Sequence, residues 1–83
     1  MKILYFSWLK EKIGTNSEEI EKPKKVKTIM DLIKFLKNTS NGHEDAFTHL
    51  KSVKVAVNKN FANFETEINN DDEIAFFPPV TGG

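Results

Sequence analysis

The chain has 83 residues, and its 12 basic and 12 acidic side chains cancel to a formal net charge of zero. That length predicts one domain spanning residues 1–83, with one modest core and no separate catalytic domain; the charge balance excludes a broad field for nucleic acid or an anionic membrane. Cysteine is absent, which removes disulfides, thiolate metal sites and any side-chain persulfide.

Ile3, Leu4, Tyr5, Phe6 and Trp8 make a β-prone opening strand. The apolar run at 3–6 is too short for a signal-peptide core or a membrane span, so the expectation is a soluble, cytoplasmic protein. A Lys-rich stretch ending at Gly14 leads to a weak, solvent-facing strand over residues 16–22, paired with the first as a hairpin and closed by Pro23. Ile29, Leu32, Ile33 and Leu36 then fall at i, i+3, i+4 and i+7, one apolar stripe on a helix of about three turns. Thr28 and Asp31 supply its N-cap and an acidic N3 residue, and Lys34 and Lys37 suit its C-terminal end. After a polar break at 38–42, a short helix is predicted over 43–51 with Ala46, Phe47 and Leu50 inward. Val53, Val55 and Val57 alternate with polar or small residues as in a strand with one buried face. An irregular region follows, then a turn at 69–72 and a last strand at 73–77. This order predicts an α+β, β-grasp (ubiquitin-like) fold, a mixed sheet packed on one side by the main helix.

The last strand leads into Pro78 and Pro79, which fix φ and forbid helix, and then into Val80, Thr81, Gly82 and Gly83. Residues 79–83 are read as an extended C-terminal tail that spans about 17 Å when stretched. A terminal glycine has no Cβ beside its carboxylate, so a narrow channel in another protein can admit it. The plainer reading is a frayed end after a Pro-Pro strand stop.

The run Asp72-Glu73-Ile74-Ala75-Phe76-Phe77-Pro78-Pro79-Val80-Thr81-Gly82-Gly83 resembles the ending of the MoaD-type sulfur carriers, the small subunits of molybdopterin synthase. Ala56-Val57-Asn58 is similar to that family's third-strand pattern and Gly14 to its first turn, while Asp71 stands where members often have Gly. The resemblance implies that a ubiquitin-activating-like adenylyltransferase uses ATP and magnesium to activate the Gly83 carboxylate, and that a sulfur donor converts it to a thiocarboxylate. It implies that Gly82 and Gly83 then enter the large subunit's active site, where sulfur passes to cyclic pyranopterin monophosphate in a heterotetramer of two small and two large subunits. No cofactor is then bound by this chain, which is a sulfur-donating subunit and no catalyst by itself. The resemblance further implies that Pro78, Pro79, Val80 and Thr81 belong to the partner-binding part of the tail.

Phe6, Phe61 and Phe77 resemble the family's apolar contact patch for the large subunit and the activating enzyme. Phe61 also stands out by itself, because it follows the polar run Asn58-Lys59-Asn60 with no apolar period to bury it. The competing reading puts these rings in the core. His43 and His49 have no companions at zinc-ligand spacing and are read as structural, with no metal site. Glu18, Glu19 and Glu21 are read as a solvated strand face, and Lys22, Lys24, Lys25 and Lys27 as a solvated loop. Fold and tail together leave a rival open, a ubiquitin-like modifier that joins Gly83 to lysines, as well as a carrier for thiamin or transfer-RNA thiolation and an adaptor without terminal chemistry.

Overall fold

The computed structural model of the chain describes residues 1–79. Its strands are β1 (Lys2–Tyr5), β2 (Ser17–Glu19), β3 (Lys54–Val57), β4 (Asn60–Ala62) and β5 (Glu73–Phe77). Its α-helices are α1 (Trp8–Ile13), α2 (Ile29–Lys37) and α3 (Asn41–Ala46). The strands form one mixed sheet in the order β2-β1-β5-β3-β4. At its centre β1 and β5 run parallel, with Ile3 opposite Ile74 and Tyr5 opposite Phe76, and the outer pairs are antiparallel. This is the expected α+β, β-grasp arrangement.

Period-two alternation divides the sheet into two faces. Ile3, Tyr5, Val55, Ile74 and Phe76 point inward and are buried. Against them lies the α2 stripe of Ile29, Leu32, Ile33 and Leu36, also buried, together with Leu9 and Phe47. Phe76 is the hub of the aromatic packing: its ring stacks 6.2 Å from Tyr5 and meets Phe47 edge-on at 5.0 Å. Helix α2 begins in the capping box that the sequence predicts. Thr28 Oγ1 accepts from the Asp31 backbone N–H at 3.2 Å, and Asp31 Oδ2 accepts from the N–H of Thr28 at 3.2 Å and of Lys27 at 3.0 Å. The two backbone donors, Lys27 foremost, hold the Asp31 carboxyl below its ordinary range.

Four expectations are corrected. The opening strand stops at Tyr5, and Trp8 begins a helix, α1. Ser7 turns the chain with a positive φ of 55°, after which Leu9 and Ile13, at i and i+4, both pack on the core. The helix ends at Gly14, whose φ of 95° suits a residue without Cβ. Strand β2 is shorter than residues 16–22, although the Met1 amino group and Ile20 carbonyl add one more link at 2.8 Å.

The second helix starts earlier than predicted and ends earlier. Ser40 accepts the His43 N–H at 3.1 Å and so caps α3 from Asn41, and a separate 3-10 turn covers Leu50–Ser52. Gly42 fits in its first turn because a Cβ there would collide with the Lys12 carbonyl oxygen of α1. Finally, the supposedly irregular stretch after β3 contains β4. Asn58 and Lys59 both take positive φ, 51° and 72°, and form the two-residue turn that joins β3 to β4. Asp71 has no positive φ, so the turn before β5 does not need the glycine common in the resembled family.

Candidate protein-interaction face

The inward alternation of the sheet leaves an outward face that no helix covers. Across it, the register aligns Leu4 with Ala75, Ala75 with Ala56, and Ala56 with Phe61, one apolar row through four strands. Phe61 stands on edge strand β4 and is 84% exposed. Its ring lies 5.9 Å from that of half-buried Phe77, tilted by 50°. The two rings therefore form one apolar platform, although they are 16 residues apart in the chain.

Phe6 follows the last residue of β1 and donates its backbone N–H to the Phe76 carbonyl at 3.1 Å, which continues the parallel pairing beside Phe77. It is 47% exposed. The core reading thus fails for Phe6 and Phe61, while Phe77 is shared between surface and interior. Pro78 and Pro79 leave the end of β5 half-buried. Val80, Thr81, Gly82 and Gly83 lie outside the described residues.

Monomeric proteins seldom leave large aromatic rings bare, because each costs hydrophobic free energy that burial against a partner would recover. The paired rings suit contact with an apolar surface, and the end of β5 lies beside them.

A second cluster, on the inward side, was not legible in the sequence. Glu18 Oε2 accepts from the Tyr5 hydroxyl at 2.7 Å and contacts His43 Nε2 at 2.6 Å. Ser40 Oγ sits 2.7 Å from His43 Nδ1. Glu18 is therefore no simple member of a solvated face: it ties β1 and β2 to α3. Burial, and then the neighbouring Glu18 carboxylate, push the Tyr5 hydroxyl far above its ordinary range, so that it stays a neutral donor. His43 is 6% exposed and serves the structure. Among the described residues no group of three or more His, Asp or Glu could hold a metal ion, and no helix is long and apolar enough to cross a membrane.

Comparison with known proteins bears on the whole chain. The ThiS family matches residues 3–83. The molybdopterin synthase sulfur carrier subunit of Escherichia coli (strain K12) is 32% identical over 83 residues, covering 100% of this chain and 99% of that protein. The molybdopterin synthase sulfur carrier subunit of Dictyostelium discoideum is 37% identical over 84 residues, covering 99% of this chain and 94% of that protein. Among solved structures, a Pyrococcus furiosus protein designated molybdopterin converting factor, subunit 1, has a TM-score of 0.75 at 30% identity over 95% of each chain.

Proposed function

The chain belongs to the ThiS family, and from that membership we propose that it is the small, sulfur-carrying subunit of a molybdopterin synthase. The observation that carries the reading is the end-to-end likeness to relatives named as sulfur carrier subunits. The open aromatic face supports it, since a carrier must dock on other proteins in turn.

In the proposed cycle the Gly83 carboxylate attacks ATP on an adenylyltransferase partner that holds magnesium. Pyrophosphate leaves and an acyl adenylate forms. A carboxylate is a poor electrophile, whereas the mixed anhydride is a good one, so sulfur at the sulfide level, delivered by a donor, attacks its carbonyl carbon, AMP leaves and a thiocarboxylate remains. Gly82 and Gly83 then thread the large subunit's active site, with Pro78, Pro79, Val80 and Thr81 bridging from the sheet. There the sulfur passes to cyclic pyranopterin monophosphate, and an oxygen from water restores the carboxylate. A dithiolene needs two sulfurs, so two loaded carriers act for each product, in keeping with a heterotetramer of two small and two large subunits. Catalytic side chains come from the partners, and this chain binds no cofactor of its own.

Phe6, Phe61 and Phe77 are the proposed anchors for the large subunit. Intact mass spectrometry of the protein purified from its own cells tests the carrier role. The expected species differs from the unmodified chain by one oxygen replaced with sulfur. Isopeptide-linked adducts without that species would assign the chain to the modifiers instead.

A further inference from the structure

The two edges of the sheet are guarded unequally. Strand β2 carries Glu18 and Glu19, and charge is one of the means by which an open edge is kept from pairing with another chain. Strand β4, at the other edge, reads Asn60-Phe61-Ala62, with no charge and no proline.

The hydrogen-bond alternation fixes what this open edge offers. The Asn58 N–H donates to the Glu73 carbonyl at 2.8 Å, so the chain at Asn58 bonds toward β5. Val57 then bonds toward β4, where it faces Asn60 across the two-residue turn, and Ala56 bonds toward β5 again. Phe61 stands opposite Ala56 and takes no ladder bond from β3, so its N–H and C=O point out along the edge. The next residue of the same parity, Asn63, is already engaged. Its N–H donates to Thr66 Oγ1 at 3.2 Å, and its carbonyl accepts the Thr66 N–H at 3.2 Å. The edge thus presents one donor and one acceptor on a single residue, beside a ring that is 84% exposed.

That arrangement is complementary to itself. A second copy laid antiparallel about a two-fold axis at Phe61 exchanges both bonds with the first, Phe61 against Phe61. The two Phe61 rings then share one face of the joined sheets, and the Phe77 rings, each 5.9 Å from its own Phe61, extend the row on either side. In this register Asn60 meets Ala62 and Lys59 meets Asn63, so no like charges oppose each other. We propose that the free chain forms a two-fold dimer through its β4 edges, joining the two sheets and covering Phe61. The contact is small, so the dimer is weak and belongs to concentrated protein. Its existence does not depend on the carrier reading. That reading adds a consequence: the second copy occupies the ring proposed as a large-subunit anchor, so only the monomer docks.

Sedimentation velocity of the full chain from micromolar to millimolar concentration tests the dimer, with amide exchange at residue 61 followed by NMR on the same samples. The panel comprises the native chain, Phe61→Ala, Phe61→Glu, Phe61→Lys and an equimolar mixture of the last two at low salt, with thermal unfolding recorded for each. The native chain is expected to pass from monomer to dimer, its Phe61 amide exchanging more slowly as it does. Phe61→Ala should raise the dissociation constant about tenfold or more. The Glu and Lys variants should each stay monomeric, while their mixture associates more tightly than either alone, because opposite charges then face across the axis. A native chain that is monomeric throughout, a dimer that Phe61→Glu leaves unchanged, or a dimer whose Phe61 amide exchange does not slow would overturn the proposal. Added large subunit should dissolve the native dimer. Large subunit that binds without dissolving it would overturn the competition, whereas large subunit that does not bind the native chain at all would count against the carrier reading and leave the dimer standing.

Discussion

Phe61 owes its exposure to two backbone positions before it. Asn58 and Lys59 turn the chain through positive φ, and the residue that emerges opposite Ala56 must point away from the core. Replacing Phe61 by Ala should therefore leave thermal unfolding nearly unchanged while weakening large-subunit binding by about 2 kcal/mol or more, as for an aromatic anchor. Phe77→Ala should move both quantities, because its half-buried ring packs against the sheet as well as against Phe61. Calorimetry and thermal melts on the same preparations separate the two effects, and a collapsed transition for Phe61→Ala would reject its assignment to the surface. Lys59 is the natural target for the opposite experiment. At φ 72° its Cβ is strained, so Lys59→Gly should raise stability by up to about 1 kcal/mol, the relief of left-handed strain being partly offset by the freer unfolded chain. Urea midpoints measure it, and a lower midpoint would show that the lysine side chain contributes something the turn geometry does not reveal.

Elements differ in how openly the sequence declares them. Helix α2 is legible because three independent local signals coincide: a 3.6-residue apolar period, a Thr-Asp capping box and lysines in the last turn. Its capping box has a pH signature. Asp31 has a lowered pKa when folded, so its contribution is present above the ordinary carboxylate pKa of about 3.9 and is lost as pH falls through the folded value. Asp31→Asn keeps an acceptor but removes the charge. The stability gap between native chain and variant should be full at neutral pH and close as pH drops below about 4; a gap constant across that window would count against the ionic part of the cap. Helix α1 and strand β4 lacked such agreement. Six residues with only Leu9 fully buried give α1 too short a period to read, and β4 offers three residues after a turn that is Asn-Lys instead of the usual Asn-Gly. The contact of Glu18 with His43 joins residues 25 apart, and the motif surrounding either one carries no trace of the other. From the bare residues the aromatic face was legible through Phe61, whose polar neighbours betray it, while Phe6 and Phe77 were reached through resemblance to the family; the closeness of the Phe61 and Phe77 rings arises only in three dimensions.

The molecule as a whole is organised around the parallel pair β1 and β5, which brings the first and last strands together at the centre of the sheet. Function is proposed to lie beyond the last of these strands. Deleting Gly83, or adding residues after it, should abolish sulfur transfer in a reconstituted system while leaving the thermal transition intact, since either change leaves the sequence of every strand and helix as it is. Full product formation by either variant would sink the carrier reading. The placement of β5 has one more consequence. It is hydrogen-bonded on both sides, to β1 and β3, and it contributes Ala75 and Phe77 to the outward face while rooting Pro78. A copy that has lost its sheet loses the proposed docking face and the strand that leads to Pro78 in one cooperative event. Under the proposed cycle, sulfur loading would then inspect each copy for integrity before committing to it, and damaged copies would drop out unloaded, without any separate surveillance step.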